Sequence, residues 1–427
     1  MKIIADLHIH SKYSRAVSRD MELENIVAWA EKKGIQVVGT GDFTHPAWFG
    51  DIRSKLEPAE DGLFKFRGKE TRFMLMTEIS SIYSKGGRAR RIHNIIFSPT
   101  IEAVEKINKK LSWIGNLKSD GRPILGLDSK KLLEIVLEAD SRCALVPAHA
   151  WTPWFSIFGS MSGFDSIEEC FDDMSPHIFA IETGLSSDPA MNWRLSALDN
   201  ISLISNSDAH SLSKLGREAN VFDCELSYDG IMSAIKTKDP KKFLYTIEFF
   251  PEEGKYHFDG HRACGVCFSP AETKKHNGLC PRCGKKLTVG VLNRVEELAC
   301  LPCLPTRQAA GRAQGKPRDI KRVPYKSLIP LEEIIAEAKG MGVKSKAVQE
   351  QYNKLLESLG SEFFVLLEAP IEKIAEIGDN RIGEGVKRVR KGEVKIEPGY
   401  DGEFGKIHLF GEGEEDKKVF ENQQSLF

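Results

Sequence analysis

The run DLHIH places His8 and His10 two residues apart, just after a short apolar stretch. Alternate residues of a strand point to the same side, so both imidazoles can face one ion. The run NSDAH repeats the spacing with Asp208 and His210. Between these lie Asp42 and His45 in GTGDFTH, Glu78 in MTEIS, His93 in RRIHNII, His149 in VPAHAW and Glu182 in AIETG. Imidazole mixed with carboxylate is a donor set that Zn, Mn and Fe sites use. Glu78 has two oxygens to offer and is the candidate bridge between two ions. Any one of these residues alone would more often complete a core hydrogen bond or face solvent. Their recurrence at successive strand ends points to a multinuclear metal centre.

Those ends belong to an alternation of strand-like and amphipathic runs over residues 1–250. Strands are expected at 2–4, 35–38, 73–76, 92–97, 144–147, 178–181 and 201–204. Met21 to Lys33 has helical spacing and stops at Gly34. The class is therefore α/β, a barrel-like or open sheet with its chemistry at the strand ends.

The composition changes after residue 250. Residues 251–300 carry two C-x-x-C pairs, Cys264 with Cys267 and Cys280 with Cys283, a four-thiolate signature for one structural zinc. Cys300 and Cys303 form a third pair without a partner pair, and read as incidental. Residues 301–326 read as a flexible basic linker, 327–410 as a mainly helical domain and 411–427 as a disordered tail. The net charge of −1 rules out a polycation, so any nucleic-acid contact must come from local patches. No run is long and apolar enough to span a bilayer, and MKIIADLHIH lacks a signal-peptide pattern, so a cytoplasmic chain is expected.

The motif DLHIHS with Ser14, the later Glu and His, the HA segment and the SDAH run resemble the polymerase-and-histidinol-phosphatase (PHP) superfamily over residues 1–225. The resemblance implies a distorted (β/α)7 barrel that holds two or three divalent ions (Zn, Mn or Mg) and hydrolyses phosphoesters. It also implies ligand roles for His8, His10, Glu78, His93, His149, Asp208 and His210; of these, Asp208, Glu78 and His210 are the candidates for catalytic work. Asp42 stands where the superfamily usually has a histidine, and joins the ligand set on that ground. Arg15 stands where an aspartate is usual. Both departures favour two ions over three.

Lys85, Arg88, Arg90 and Arg91 cluster just before His93, where they can neutralise phosphates. The segment after His149 sets Trp151, Trp154, Phe155 and Phe158 among small residues, which suits stacking on an extruded base. The competing reading of these aromatics is a hydrophobic cap. Arg15 completes the candidate DNA contacts. GTGDFTHPAW, HAWTPWFSIFGS, NSDAHSLSKLGREAN, the cysteine module, SLIPLEEIIAE and PGYDGEFGKI are together similar to the endonuclease Q family. That resemblance implies a nick on the 5′ side of uracil, hypoxanthine, xanthine or an abasic site in DNA, leaving a 3′-hydroxyl and a 5′-phosphate. It places the chain in the cytoplasm with the nucleoid. The tail residues Gln423, Leu426 and Phe427 resemble the short peptide by which bacterial repair proteins bind the sliding clamp. The alternatives are a small-molecule phosphoesterase of the histidinol-phosphatase kind and a non-catalytic DNA- or clamp-binding module.

Overall fold

The computed structural model describes residues 1–300 and 321–411. The strands in chain order are β1 (Lys2–Asp6), β2 (Val37–Gly39), β3 (Leu56–Pro58), β4 (Leu63–Phe66), β5 (Arg72–Lys85), β6 (Arg88–Ser98), β7 (Ile124–Leu125), β8 (Ala144–Pro147) and β9 (Ala180–Glu182). They continue with β10 (Ser202–Ile204), β11 (Ala219–Asp223), β12 (Phe243–Glu248), β13 (Asp259–His261), β14 (Val266–Phe268), β15 (Tyr325–Ser327), β16 (Lys395–Glu397) and β17 (Lys406–His408). The fold is mixed α/β. Its central sheet runs β15-β12-β11-β1-β2-β5-β4-β3, with β6 and β7 also paired to β5 and β8 paired to β6. β9 and β10 form a separate parallel pair.

All seven expected strands are present, but the alternation is less regular than the sequence implied. β5 and β6 are one long antiparallel hairpin that turns at Gly86 and Gly87. Glu78 and His93 therefore lie inside strands, not at their ends. The ladder sets Ser80 opposite His93 and Glu78 opposite Ile95, so Glu78 and His93 share one face of the hairpin.

Helices cover the sheet with the apolar stripes visible in the sequence. Leu23–Lys33 buries Leu23, Ile26, Val27 and Ala30. It ends at Gly34, whose φ of +86° a residue with a Cβ would adopt only under strain. Thr100 and Asp128 cap the helices Ile101–Ser112 and Ser129–Ala139 through their side-chain oxygens. Among the described residues no helix is long and apolar enough to cross a membrane.

The expected basic linker ends inside the sheet. Tyr325–Ser327 pairs in parallel with β12, beside buried Val323 and Leu328. Residues 301–320, with Cys303, lie outside the described residues, as do Gln423, Leu426 and Phe427. Beyond β15 the chain is mainly helical, in five pieces from Leu331–Lys339 to Asn380–Lys391. Helical periodicity runs over 331–359 and 371–389 in the sequence, and the structure interrupts these runs at Gly340 and Gly378. The ion pair of Lys33 with Glu362, 2.6 Å and buried, ties these helices to Leu23–Lys33.

Residues 259–287 pack only a small apolar cluster of Val266, Cys280 and Leu287, too little to fold without a staple. Helix Val291–Cys300 instead joins the main core through Val291, Val295 and Leu298. Asp401, between β16 and β17, accepts hydrogen bonds from the Arg262 backbone and the Thr288 hydroxyl, each 2.6 Å.

Candidate metal centre

Three groups of donor atoms converge at one rim of the sheet. His8, His10 and Glu78 form the first, Glu78, His93 and His149 the second, and His10, Asp208 and His210 the third. Glu78 stands between the first two. Its Oε2 lies 3.3 Å from His10 Nε2, while its Oε1 lies 2.9 Å from His93 Nδ1 and 3.1 Å from His149 Nε2. His8 and His10 follow β1, His149 follows β8, and Asp208 and His210 follow β10, so separate segments deliver the donors.

His8 and His10 are each held from behind by a carboxylate. His8 Nδ1 lies 3.0 Å from Glu182 Oε1, and His10 Nδ1 lies 3.0 Å from Asp42 Oδ1. Such partners fix the ring and turn the other nitrogen toward an ion. His8 Nε2, His10 Nε2 and Asp208 Oδ1 are buried atoms without a hydrogen bond. Burying polar atoms in this way is costly unless a cation takes their lone pairs, so the donor set fits divalent ions. His10 offers one lone pair at Nε2 and can serve only one of the two groups that contain it. Glu78 has an oxygen for each side.

Asp42 is not among these converging donors. Its Oδ1 faces His10, and its Oδ2 accepts from the Ser11 backbone and from the Ser11 and Ser14 hydroxyls. Both oxygens of this expected ligand are thus engaged, one of them with the ring of His10. Asp42, His149 and Asp208 all have positive φ, at +41°, +27° and +47°. Such backbone costs on the order of 1–3 kcal/mol per residue and gathers at functional sites.

Electrostatics follow from this crowding. Burial disfavours charge on His8, but Glu182 and Asp208 hold its pKa well above the usual value. Burial also opposes charge on His10, and Asp42 outweighs it with the same result. Burial lowers His93 to about 4. Glu78 stays well below the usual carboxylate range, because His93 and Arg122 overcome the cost of burial.

The sequence reading missed Arg122, whose Nη1 lies 3.0 Å from Glu78 Oε2. No motif marks it; it arrives on a loop from the far side of β5. It also missed the positioning role of Glu182. The remaining candidates divide. Arg15 is largely exposed and pairs with Asp120 at 3.8 Å, outside the donor groups. Arg90 is used within the fold, bonded to the Gly163 carbonyl and stacked on Phe164. Arg88 and Arg91 are exposed, and strand alternation puts Arg91 on the face of His93. Trp151 and Phe158 are core residues, packed together with ring centroids 4.9 Å apart. Phe155 lies against His93 at 4.8 Å and Trp154 against Tyr256 at 5.5 Å.

A cavity of about 610 Å³ opens beside the centre, bounded by His149, Asp208, Ser186, Tyr256, His257, Phe249 and Phe404 among others. The four aromatics singled out in the sequence do not line it; Thr152 and Pro153 of the same segment do. Ser186 Oγ and His257 Nδ1 are buried without partners. Burial lowers His257 to about 4, which keeps it neutral near pH 7.

In the cysteine module the converging donors are His261, Cys264, Cys280 and Cys283, all within 4.8 Å of one another. Three of the four expected cysteines are there, and His261 stands in place of Cys267. The register explains this. His261 pairs with Val266 and Gly260 with Cys267, so His261 and Cys267 face opposite sides of the hairpin.

Residues 330–393 match the family described as the MJ0043 C-terminal domain. The protein MJ0043 of Methanocaldococcus jannaschii is 35% identical over 268 residues, 61% of this chain, and this match spans 31% of that protein's length. The crystal structure of the lesion-specific endonuclease PfuEndoQ from Pyrococcus furiosus has 33% identity and a TM-score of 0.82, over 98% of this chain and 99% of that one. These likenesses define the class as a nuclease, a hydrolase of phosphodiester bonds. A structure of endonuclease Q with a 27-mer duplex bearing an abasic lesion at the active site has 34% identity and a TM-score of 0.80, over 98% of this chain and 100% of that one. The chain belongs to the endonuclease Q family.

Proposed function

We propose that the chain is a metal-dependent DNA repair endonuclease that nicks one strand 5′ of a deaminated base or an abasic site. The observation that carries this reading is the Glu78-bridged donor set opening directly onto a cavity of about 610 Å³. That volume suits a nucleotide taken out of the stack. His8, His10, His93, His149 and Glu78 would hold two divalent ions, Zn, Mn or Mg, with Asp208 and His210 completing the set. When bound, such ions acidify water and neutralise phosphate charge.

The chain's own groups do the rest. Asp208 is held ionised, since His10 and His8 overcome the cost of burial. Its Oδ1 lacks a hydrogen bond, and it is the candidate to orient or deprotonate the attacking water. Tyr256, Phe249 and Phe404 give the cavity apolar walls, while Ser186 and neutral His257 offer hydrogen bonds to an extruded keto base. Weak pairing of a deaminated base lowers the cost of extrusion. Arg88 and Arg91 would meet the backbone phosphates. The sheet is read as a distorted PHP-type (β/α)7 barrel over 1–250, gripping duplex together with the zinc module and the C-terminal helices. Through Gln423, Leu426 and Phe427 the tail would dock on a sliding clamp.

The test is an oligonucleotide panel with a single deoxyuridine, deoxyinosine or abasic site, supplied with Mg²⁺ or Mn²⁺ and with the product ends mapped. A nick leaving a 3′-hydroxyl on the 5′ side supports the reading. No cleavage of any lesion, or turnover of free phosphomonoesters without DNA binding, sinks it.

A further inference from the structure

Arg122 is delivered to the centre by a loop pinned on both sides. The Arg122 and Arg15 backbone N–H groups both donate to Asp120 Oδ1, at 3.1 and 3.2 Å. Gly121 N–H donates to the Tyr13 carbonyl at 3.0 Å, and the Pro123 carbonyl accepts from Ser80 of β5 at 3.1 Å. Gly121 passes so close to the first-motif loop that an added Cβ would stand 2.3 Å from Asp42 Oδ2 and 2.4 Å from Ser14 Oγ. The loop cannot retreat from the metal centre without abandoning these contacts. The Arg122 side chain is three-quarters buried, with Nη1 on Glu78 Oε2. Its other guanidinium N–H groups have no hydrogen bond among the described residues.

We propose that Arg122 is a catalytic residue of the strand cleavage, an inference that rests on the nuclease reading above. Guanidinium is a rigid fork of five donors that keeps its charge at any working pH. Glu78 occupies one arm and fixes its plane. The free arms point their donors at a non-bridging oxygen of the scissile phosphate, where they neutralise charge as it builds in the transition state. A preorganised donor of this kind is worth on the order of 10²–10³-fold in rate. Lysine, with a single flexible ammonium, cannot both hold Glu78 and keep a planar fork on the phosphate.

The test uses the full chain and Arg122→Gln and Arg122→Lys variants, with thermal melting to confirm folding. Arg122→Gln is expected to lower kcat by ~100-fold or more, with KM and the Mn²⁺ half-saturation little changed. Arg122→Lys should recover only a small part of this, and added guanidinium ion should restore part of the Arg122→Gln rate. A second readout is free of turnover. With EDTA present, wild type should bind an oligonucleotide more tightly than Arg122→Gln does, and that difference should vanish when the scissile linkage is a neutral methylphosphonate. If high Mn²⁺ restores full rate to Arg122→Gln, or if the binding difference survives the methylphosphonate, Arg122 only supports Glu78 and the proposal falls. A wild-type chain that nicks nothing refutes the nuclease reading instead. Nicking by wild type and variant alike refutes only the role of Arg122.

Discussion

Glu182 grips His8 from behind, with its Oε1 and Oε2 at 3.0 and 3.2 Å from His8 Nδ1. The same carboxylate accepts from the His149 backbone N–H at 2.8 Å, so it positions one donor of each triad that shares Glu78. Glu182→Gln keeps the shape and removes the charge that fixes the ring. Losing such a partner typically costs ~10–100-fold in metal affinity. Calorimetric Mn²⁺ titration should show a weakening of that order, and nicking should recover at raised Mn²⁺. Unchanged affinity would refute the positioning role.

Protons and metal ions compete for His8 and His10. Carboxylates hold both pKa values well above the unfolded value of 6.5. In metal-stripped protein their stabilising contribution is complete below pH 6.5 and disappears as pH rises through the folded values. In metal-loaded protein the neutral imidazoles are the ligands, and higher pH favours them. The gap in melting temperature between loaded and stripped protein should therefore widen from pH 6 to 9. A gap that stays constant across that range would count against the ligand assignment.

Away from the centre, Glu248 is buried with its Oε2 accepting from Thr183 at 3.0 Å and Ser205 at 3.1 Å. Burial raises its pKa to about 8, and Glu218 is likewise raised well above the usual carboxylate value, by its own burial and by Glu248. A carboxyl raised on folding contributes stability that is complete below its unfolded value of 4.5 and lost as pH rises through the folded value. Wild type should lose stability between pH 6 and 9. Glu248→Gln, neutral throughout, should flatten that slope and be the more stable form at pH 9. Parallel denaturation curves for the two proteins would contradict this.

The donors of the centre were legible in the sequence because their spacing coincides with strand periodicity. His8 with His10 and Asp208 with His210 announce themselves by the two-residue repeat. The assignment of roles was less legible, because it depends on what lies behind each ring. Asp42 and Glu182 have the same chemistry as Glu78, and only the folded geometry separates the carboxylates behind the rings from the one among the converging donors. Arg122 carried no local signal, since its place is set by a loop crossing beneath Asp42. The strand Tyr325–Ser327 was hidden because three residues paired to a distant edge leave no periodicity to read. The aromatic segment misled in part: Trp151 and Phe158 went to the core, as large apolar rings generally do.

The cysteine module offers five soft donors for four tetrahedral positions, and the hairpin register decides among them. His261 Nδ1 lies 3.4 Å from Cys283 Sγ, while Cys267 sits opposite Gly260 on the other face. The Cys280 thiol is lowered to about 6 against the effect of burial, by the backbone N–H groups of Arg282 and Cys283, so it is largely thiolate near neutral pH. His261→Ala and Cys264→Ala should each release the structural zinc, measured by metal analysis after dialysis, and should lower the melting temperature. Cys267→Ala should retain zinc. Because the small cluster around Val266 cannot hold the segment alone, zinc loss should also free Arg262 and Thr288 from Asp401 and expose the module to protease. If Cys267→Ala loses zinc while His261→Ala keeps it, four cysteines form the site and the histidine is a bystander.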